Sequence, residues 1–201
     1  AMIPNISLLL ELVNKWDITA GAFPINLRDR VVRRSCWVFR AFTEARCSGA
    51  LYRFASEEME ANLHETLRRI DAYMMGDGEE VDLKADYEMV VRTEHCWFYK
   101  ELGPDTRYSL WNAGMNAFVA LLGVLPNGRK VYTAGCRSRF TGYPLPQLQK
   151  DYNAAEQAKG GDAAWGGADI VIGTRNQGSV LDFPDLIERT EYRLRKVGFL
   201  S

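Results

Sequence analysis

The chain has 201 residues, is 47% hydrophobic and 25% charged, and carries a formal net charge of −1 at pH 7. That composition suits one ordinary domain or two small ones, and it excludes a disordered, collagen-like or disulfide-framed chain. Near-neutrality means that any anion-binding surface must be local.

The first half reads as helical. Ile6, Leu9, Leu10 and Val13 recur at helical spacing. Glu11, Lys15 and Asp17 interrupt that run, so it does not read as a secretory leader. A polar connector (Thr19–Pro24) leads to one continuous helical pattern from Arg28 to Cys47, carried by Val31, Val32, Ser35, Val38, Phe39 and Phe42. A third helix starts at Ser56 as N-cap, with Glu57, Glu58 and Glu60 in its first turn. Its apolar stripe is Met59, Leu63, Leu67, Ile70 and Met74, and Gly76-Asp77-Gly78 ends it.

Beyond Gly78 the pattern changes. Tyr87–Arg92 and Cys96–Lys100 read as strands, and Trp111–Asn116 as a turn whose amides could touch a base or sugar. Phe118–Leu125 and Arg129–Thr133 flank Pro126-Asn127-Gly128, a hairpin signal. A helix from Leu145 to Ala158, a buried strand over Ala168–Gly173 and a last helix capped by Asp182 complete the reading. The expected fold class is α/β: a helical extension over residues 1–78, then a mixed-sheet domain over 79–201. The longest apolar stretches, Leu8–Leu10 and Phe118–Leu125, fall far short of the roughly 20 residues a membrane span needs.

Cys36, Cys47, Cys96 and Cys136 show no zinc spacing and read as reduced, packed thiols, which points to the cytoplasm. The two histidines, His64 and His95, support no nucleophilic triad, since Cys96 beside His95 would point the opposite way on a strand. HExxH, GxSxG, GxxxxGK[ST] and GxGxxG are all missing from the sequence, so no catalytic residue, metal ligand or resident cofactor is assigned.

Charge is unevenly placed. Phe54–Glu94 holds 12 acidic and 4 basic residues, whereas Arg129–Lys150 holds 5 basic residues and no acid. Next to the basic stretch, six glycines fall between Gly160 and Gly178. Paired glycines let backbone N–H groups converge on an anion, and arginines after a strand offer planar recognition of phosphate. The candidate phosphate site is therefore Arg137, Ser138 and Arg139, facing Gly160, Gly161, Asp162, Trp165, Gly166 and Gly167. A tight-turn region with its arginines solvated or paired to Asp162 and Asp169 is the competing structural reading.

The order of strand (Val131–Thr133), Arg137-Ser138, Leu-rich helix (Leu145–Leu148), double-glycine loop (Gly160-Gly161, Gly166-Gly167) and small-residue strand (Ala168–Gly173) resembles the C-terminal, substrate-binding domain of the DHH phosphoesterase superfamily. Where that family has a glycine run followed by His, this sequence reads Gly160-Gly161-Asp162-Ala163-Ala164-Trp165-Gly166-Gly167, which implies a divergent branch with Trp165 as a stacking surface.

The resemblance implies a module that holds short single-stranded nucleic acid, nucleotide or polyphosphate. Hydrolysis would need a divalent metal, manganese or magnesium, in an N-terminal catalytic domain whose Asp-His-His motif these residues lack. Residues 3–75 would be the helical connector to that domain, and Ala1 before Met2 reads as a residue left by cloning. The different reading left open is a non-catalytic interaction or self-assembly domain, including a homodimer. The arginine-rich helix (Arg28, Arg30, Arg33, Arg34, Arg40, Arg46) fits simple solvation first, and otherwise backbone contact or packing against the further domain.

Overall fold

A computed structural model describes residues 5–19, 21–23, 25–47, 50–52, 55–162, 165–174 and 177–199. The chain is an α/β protein with two compact units. One comprises the residues up to Asp86 together with Leu102–Ala113, and the other Tyr87–Glu101 with the chain from Gly114 onward. Beside the expected boundary after residue 78, residues 79–86 and Leu102–Ala113 thus group with the helices.

The helical unit contains α1 (Ile6–Thr19), α2 (Arg30–Val38), α3 (Arg40–Cys47), a 3₁₀ turn (Ala50–Tyr52), α4 (Ser56–Met75) and α5 (Thr106–Asn112). The single helix expected over Arg28–Cys47 is two. Asp29 caps α2 by accepting from Val31 N–H at 2.7 Å, and the chain leaves helical geometry at Phe39 (φ −97°, ψ 7°) before α3 begins. Trp37, Val38 and Phe39 are poor helix formers in succession, and burying Trp37 and Val38 outweighs helix continuity there.

The N-cap of α4 is Ala55 rather than Ser56, because Glu58 reaches back to accept Ala55 N–H at 2.8 Å. At the other end Gly76 adopts φ +92° and closes the helix, as its sequence indicates. The stripe on α4 is only half used: Met59, Leu63 and Leu67 are exposed, while Ile70 packs against Leu9, Trp37, Val38 and Tyr73. Of the turn expected over Trp111–Asn116, Trp111 and Asn112 end α5 and Ala113-Gly114 turn the chain before β3, while Asn112 Nδ2 donates to Ile25 O at 2.8 Å.

The sheet unit holds β1 (Tyr87–Arg92), β2 (Trp97–Glu101), β3 (Ala117–Val124), β4 (Lys130–Cys136), β5 (Trp165–Gly167) and β6 (Val171–Thr174), in the order β1-β2-β3-β4-β6-β5. The β2–β3 pair is parallel and the other pairs are antiparallel, so the sheet is mixed. The Asn-Gly hairpin forms as expected between β3 and β4, with Gly128 at φ +80°.

Helices α6 (Leu145–Ala158) and α7 (Phe183–Lys196) pack on the sheet. Their Leu145, Leu148, Tyr152, Leu186 and Leu194 share one core with Phe98, Val119, Tyr132, Ala134 and Ile172 of the strands. Asp182 caps α7 by accepting from Asp185 N–H at 3.2 Å, with Pro184 just inside. Among the described residues, no helix is long and apolar enough to cross a membrane.

Candidate functional site

Strand β4 ends at Cys136, and the residues after it leave the sheet. Arg137 N–H donates to Asn116 O at 2.8 Å. Ser138 then turns the chain into a 3₁₀ turn over Arg139–Thr141, its Oγ accepting from Phe140 N–H at 3.2 Å. Thr141 Oγ1 locks the same turn by donating to Ser138 O at 2.7 Å. Both arginine side chains emerge to solvent on either side of Ser138, whose hydroxyl oxygen serves the turn. Phe140 is 88% exposed, and the Arg139 guanidinium lies 5.4 Å from its ring centre.

The glycines predicted to face these arginines do not form one loop. Gly160 (φ +72°) and Gly161 stop α6, and Gly161 N–H donates to Glu156 O at 2.8 Å. Asp162 makes a short ion pair with Arg129, just before β4 begins. That pairing holds the Asp162 carboxyl below the usual carboxylate range. Gly166 and Gly167 lie in β5, and the tight turn after them brings Ile170 O to Cys136 N–H at 3.0 Å.

The first glycine pair therefore sits at the Lys130 end of β4 and the turn after the second at the Cys136 end. At about 3.3 Å per residue the strand separates them by roughly 20 Å. Only the Gly167–Ile170 turn adjoins Arg137 and Ser138, where the Cys136 thiol lies 3.6 Å from Ser138 O and 3.9 Å from Asp169 O. Ala163 and Ala164 lie outside the described residues.

Trp165 is not a stacking surface. It is 1% exposed, packed between Tyr132 (ring centres 6.0 Å apart) and Tyr152 (4.7 Å), and its Nε1 donates to the buried Glu156 carboxylate at 3.3 Å. A tryptophan between small residues beside a six-stranded sheet gains more from the core than from solvent. The exposed aromatic of this region is Phe140, which sequence reasoning missed. Its signal was position: too little chain separates the end of β4 from the buried Tyr143 to turn Phe140 inward as well.

A cleft of about 350 Å³ borders the Arg137–Thr141 segment, lined by His95, Asn116, Thr141, Tyr143 and Phe199. His95 meets Phe199 edge-on, with ring centres 5.2 Å apart, and its Nε2 lies 3.9 Å from the Glu94 carboxylate. Tyr143 Oη is buried beside the Cys96 thiol, and burial pushes its pKa well up. The same burial pushes Cys96 up to about 12, so both groups stay neutral near pH 7.

Among the described residues, no group of three His, Cys, Asp or Glu side chains is placed to hold a metal ion. Known protein families, curated proteins and solved structures give no match to this chain.

Proposed function

We propose that the sheet unit binds a phosphate-bearing chain, short single-stranded nucleic acid above all, on the segment Arg137-Ser138-Arg139-Phe140. The observation that carries the reading is a short segment on which Arg137, Arg139 and Phe140 are all exposed, with the Arg139 guanidinium against the Phe140 ring. Arginine takes phosphate oxygens in a planar fork, and an aromatic face stacks a base of any identity. The neighbouring cleft offers polar atoms of His95, Asn116 and Thr141 to the next nucleotide.

On this reading the resemblance to the DHH phosphoesterases extends to role: hydrolysis with manganese or magnesium belongs to a catalytic domain outside these residues, and this chain binds without cleaving. A cytoplasmic setting fits the three buried, unpaired thiols Cys36, Cys96 and Cys136.

The test is binding of a short oligonucleotide at several salt concentrations. Each charge-assisted phosphate contact contributes about 1.5–3 kcal/mol, so Arg137→Gln or Arg139→Gln weakens binding roughly 10–100-fold and flattens the log–log salt slope by about 0.7. Phe140→Ala costs about 1–3 kcal/mol with little change in slope. Arg195→Gln, on the exposed face of α7, is the control and leaves binding unchanged. Wild-type protein without salt-dependent binding, or four variants that behave alike, overturns the reading.

A second reading, docking to a partner or to another copy through α4, is favoured by the exposure of Met59, Leu63 and Leu67 on one helix face. Sedimentation velocity over a concentration series tests self-association, and a strict monomer removes that form of it.

A further inference from the structure

The helical unit holds a cleft of its own that the phosphate reading does not use. It measures about 630 Å³, within the range of small-molecule sites, and is lined from α1, α2, α3 and α5. Its walls are mostly aromatic. Trp16 stacks on Tyr108 with ring centres 5.9 Å apart and planes 23° from parallel, and Phe39 meets Trp16 edge-on at 6.3 Å. Phe42, itself exposed, adds a fourth ring, and Val13 and Pro104 extend the apolar lining.

The polar groups on these walls are already provided for. The Asp105 carboxylate is engaged by Arg40 Nη1 at 3.0 Å and by Lys84 N–H at 3.3 Å. The Thr43 hydroxyl donates back along its own helix, to Arg40 O at 3.1 Å. Burial pushes the Cys36 thiol up to about 12 and raises the Tyr108 hydroxyl as well, so both are neutral near pH 7. Arg46 keeps contacts within the fold, and Asp17, of opposite sign and lining the same cleft, is exposed to water.

These walls select a ligand by charge balance. An ion that enters an apolar cleft gives up hydration and needs an opposite charge in return. Here each sign meets its counterpart: an anion nears Arg46 but also Asp17 and Asp105, and a cation the reverse. An uncharged ring sheds no such hydration and gains contact with flat aromatic faces.

We propose that this cleft binds one small uncharged molecule, a planar system of two or three fused rings. The rings lie among Trp16, Phe39, Phe42 and Tyr108, and any polar substituent of the ligand points past Phe42 to solvent.

The experiment uses the full chain and 1-naphthalenemethanol as the probe. Its comparisons are 1-naphthoate, 1-naphthylmethylammonium and the saturated, non-planar decalin-1-methanol. Calorimetric titration gives affinity, and the Trp16 indole N–H resonance, assigned by its loss in Trp16→Phe, gives location. The neutral naphthalene binds below about 1 mM, about tenfold or more tighter than either ion, and shifts the Trp16 signal on saturation. It also binds about threefold or more tighter than the decalin, whose bulk the flat faces do not match. Phe42→Ala removes an exposed wall and weakens the neutral probe by about fivefold or more. Asp17→Asn tests the charge balance: at low ionic strength it strengthens 1-naphthoate by about two- to fivefold and leaves the neutral probe unchanged. Met75→Ser, at the exposed end of α4, changes nothing and excludes non-specific binding to apolar surface.

Six results each overturn the proposal: no binding of the neutral probe at about 1 mM, an ion that binds as tightly, a decalin that binds as tightly, an unmoved Trp16 signal, a Met75→Ser loss equal to that of Phe42→Ala, or an Asp17→Asn effect that is the same on probe and naphthoate. Should Trp16→Phe fail to fold, the Phe42→Ala and Asp17→Asn titrations still decide.

Discussion

Glu156 on α6 is fully buried, and its three hydrogen bonds make it the most informative single perturbation of the sheet unit. Its Oε1 accepts from Ser179 Oγ in a very short hydrogen bond and from Trp165 Nε1 at 3.3 Å, while Oε2 accepts from Val180 N–H at 3.1 Å. Ser179 in turn bridges to Lys130 at the start of β4, so one carboxylate ties α6, β5 and the chain before α7 to the sheet.

Hydrogen bonds to a charged acceptor contribute about 1.5–3 kcal/mol each, though three on one group do not add. Glu156→Gln keeps the volume but turns an N–H₂ toward one of three donors, for an expected loss of about 2–3 kcal/mol. Glu156→Ala leaves the donors without an acceptor and a void beside Trp165, for about 3–5 kcal/mol. In a chain of this size that lowers the melting temperature by about 2–4 °C per kcal/mol.

Urea unfolding followed by far-UV circular dichroism and tryptophan fluorescence measures both, with Ser179→Ala completing a double-mutant cycle whose coupling is about 1 kcal/mol or more. If Glu156→Gln is within about 0.5 kcal/mol of wild type, or the cycle is additive, the carboxylate is not the tie described.

Gly167→Ala destabilises by more than about 3 kcal/mol, because its φ is +150° and a Cβ would stand 2.2 Å from Val171 O; Gly160→Ala, at φ +72° in open space, costs only about 1–2 kcal/mol, and equal losses on thermal melting refute the distinction. Arg40→Met strips the buried Asp105 of its partner and costs about 3–5 kcal/mol at pH 7. Burial already holds the Asp105 pKa above its ordinary value, so the folded form gains stability as pH falls and protonates it; the Arg40→Met penalty therefore shrinks toward pH 4, and one that grows refutes the assignment. Hydrogen bonds from Arg68 and Arg69 hold Glu65 down at about 2, so its contribution is complete above the unfolded value of about 4.5 and is lost as pH falls toward 2. The urea midpoint of wild type should exceed that of Glu65→Gln by a small margin at pH 7 that vanishes by about pH 2; a margin independent of pH counts against it.

The fold was legible where one local signal and one burial pattern agreed. Asn127-Gly128 between apolar runs specifies the β3–β4 hairpin, Asp182 with Pro184 starts α7, and Leu145, Leu148, Tyr152 and Ala155 present one buried face of α6. It was illegible where periodicity is silent. A 3.6-residue stripe runs unbroken through Phe39 because a bend at one residue keeps the apolar positions in phase, so α2 and α3 read as one helix. The stripe of α4 likewise states which residues share a face, not whether that face meets a core, and Met59, Leu63 and Leu67 meet solvent.

The candidate site was misjudged for a related reason: closeness in sequence stood in for closeness in space. Glycine clusters attract an anion-binding reading because convergent N–H groups need them, but each glycine here answers a separate backbone demand. Gly160 ends a helix, Gly161 packs against Glu156, and Gly167 admits a turn between paired strands. Between the first and last of these the chain crosses from one end of β4 to the other, so residues seven apart serve opposite ends of the strands. Arg137 and Arg139 escape that error because their placement depends only on where β4 stops. Cys136 completes the ladder opposite Ala117, Ser138 then captures Phe140 N–H, and Arg137, Arg139 and Phe140 are exposed. The same geometry that removes the glycine cradle from the arginines sets Phe140 beside Arg139. A ligand held there would rest on guanidinium and ring faces, with the backbone of the Gly167–Ile170 turn as the nearest glycine contribution.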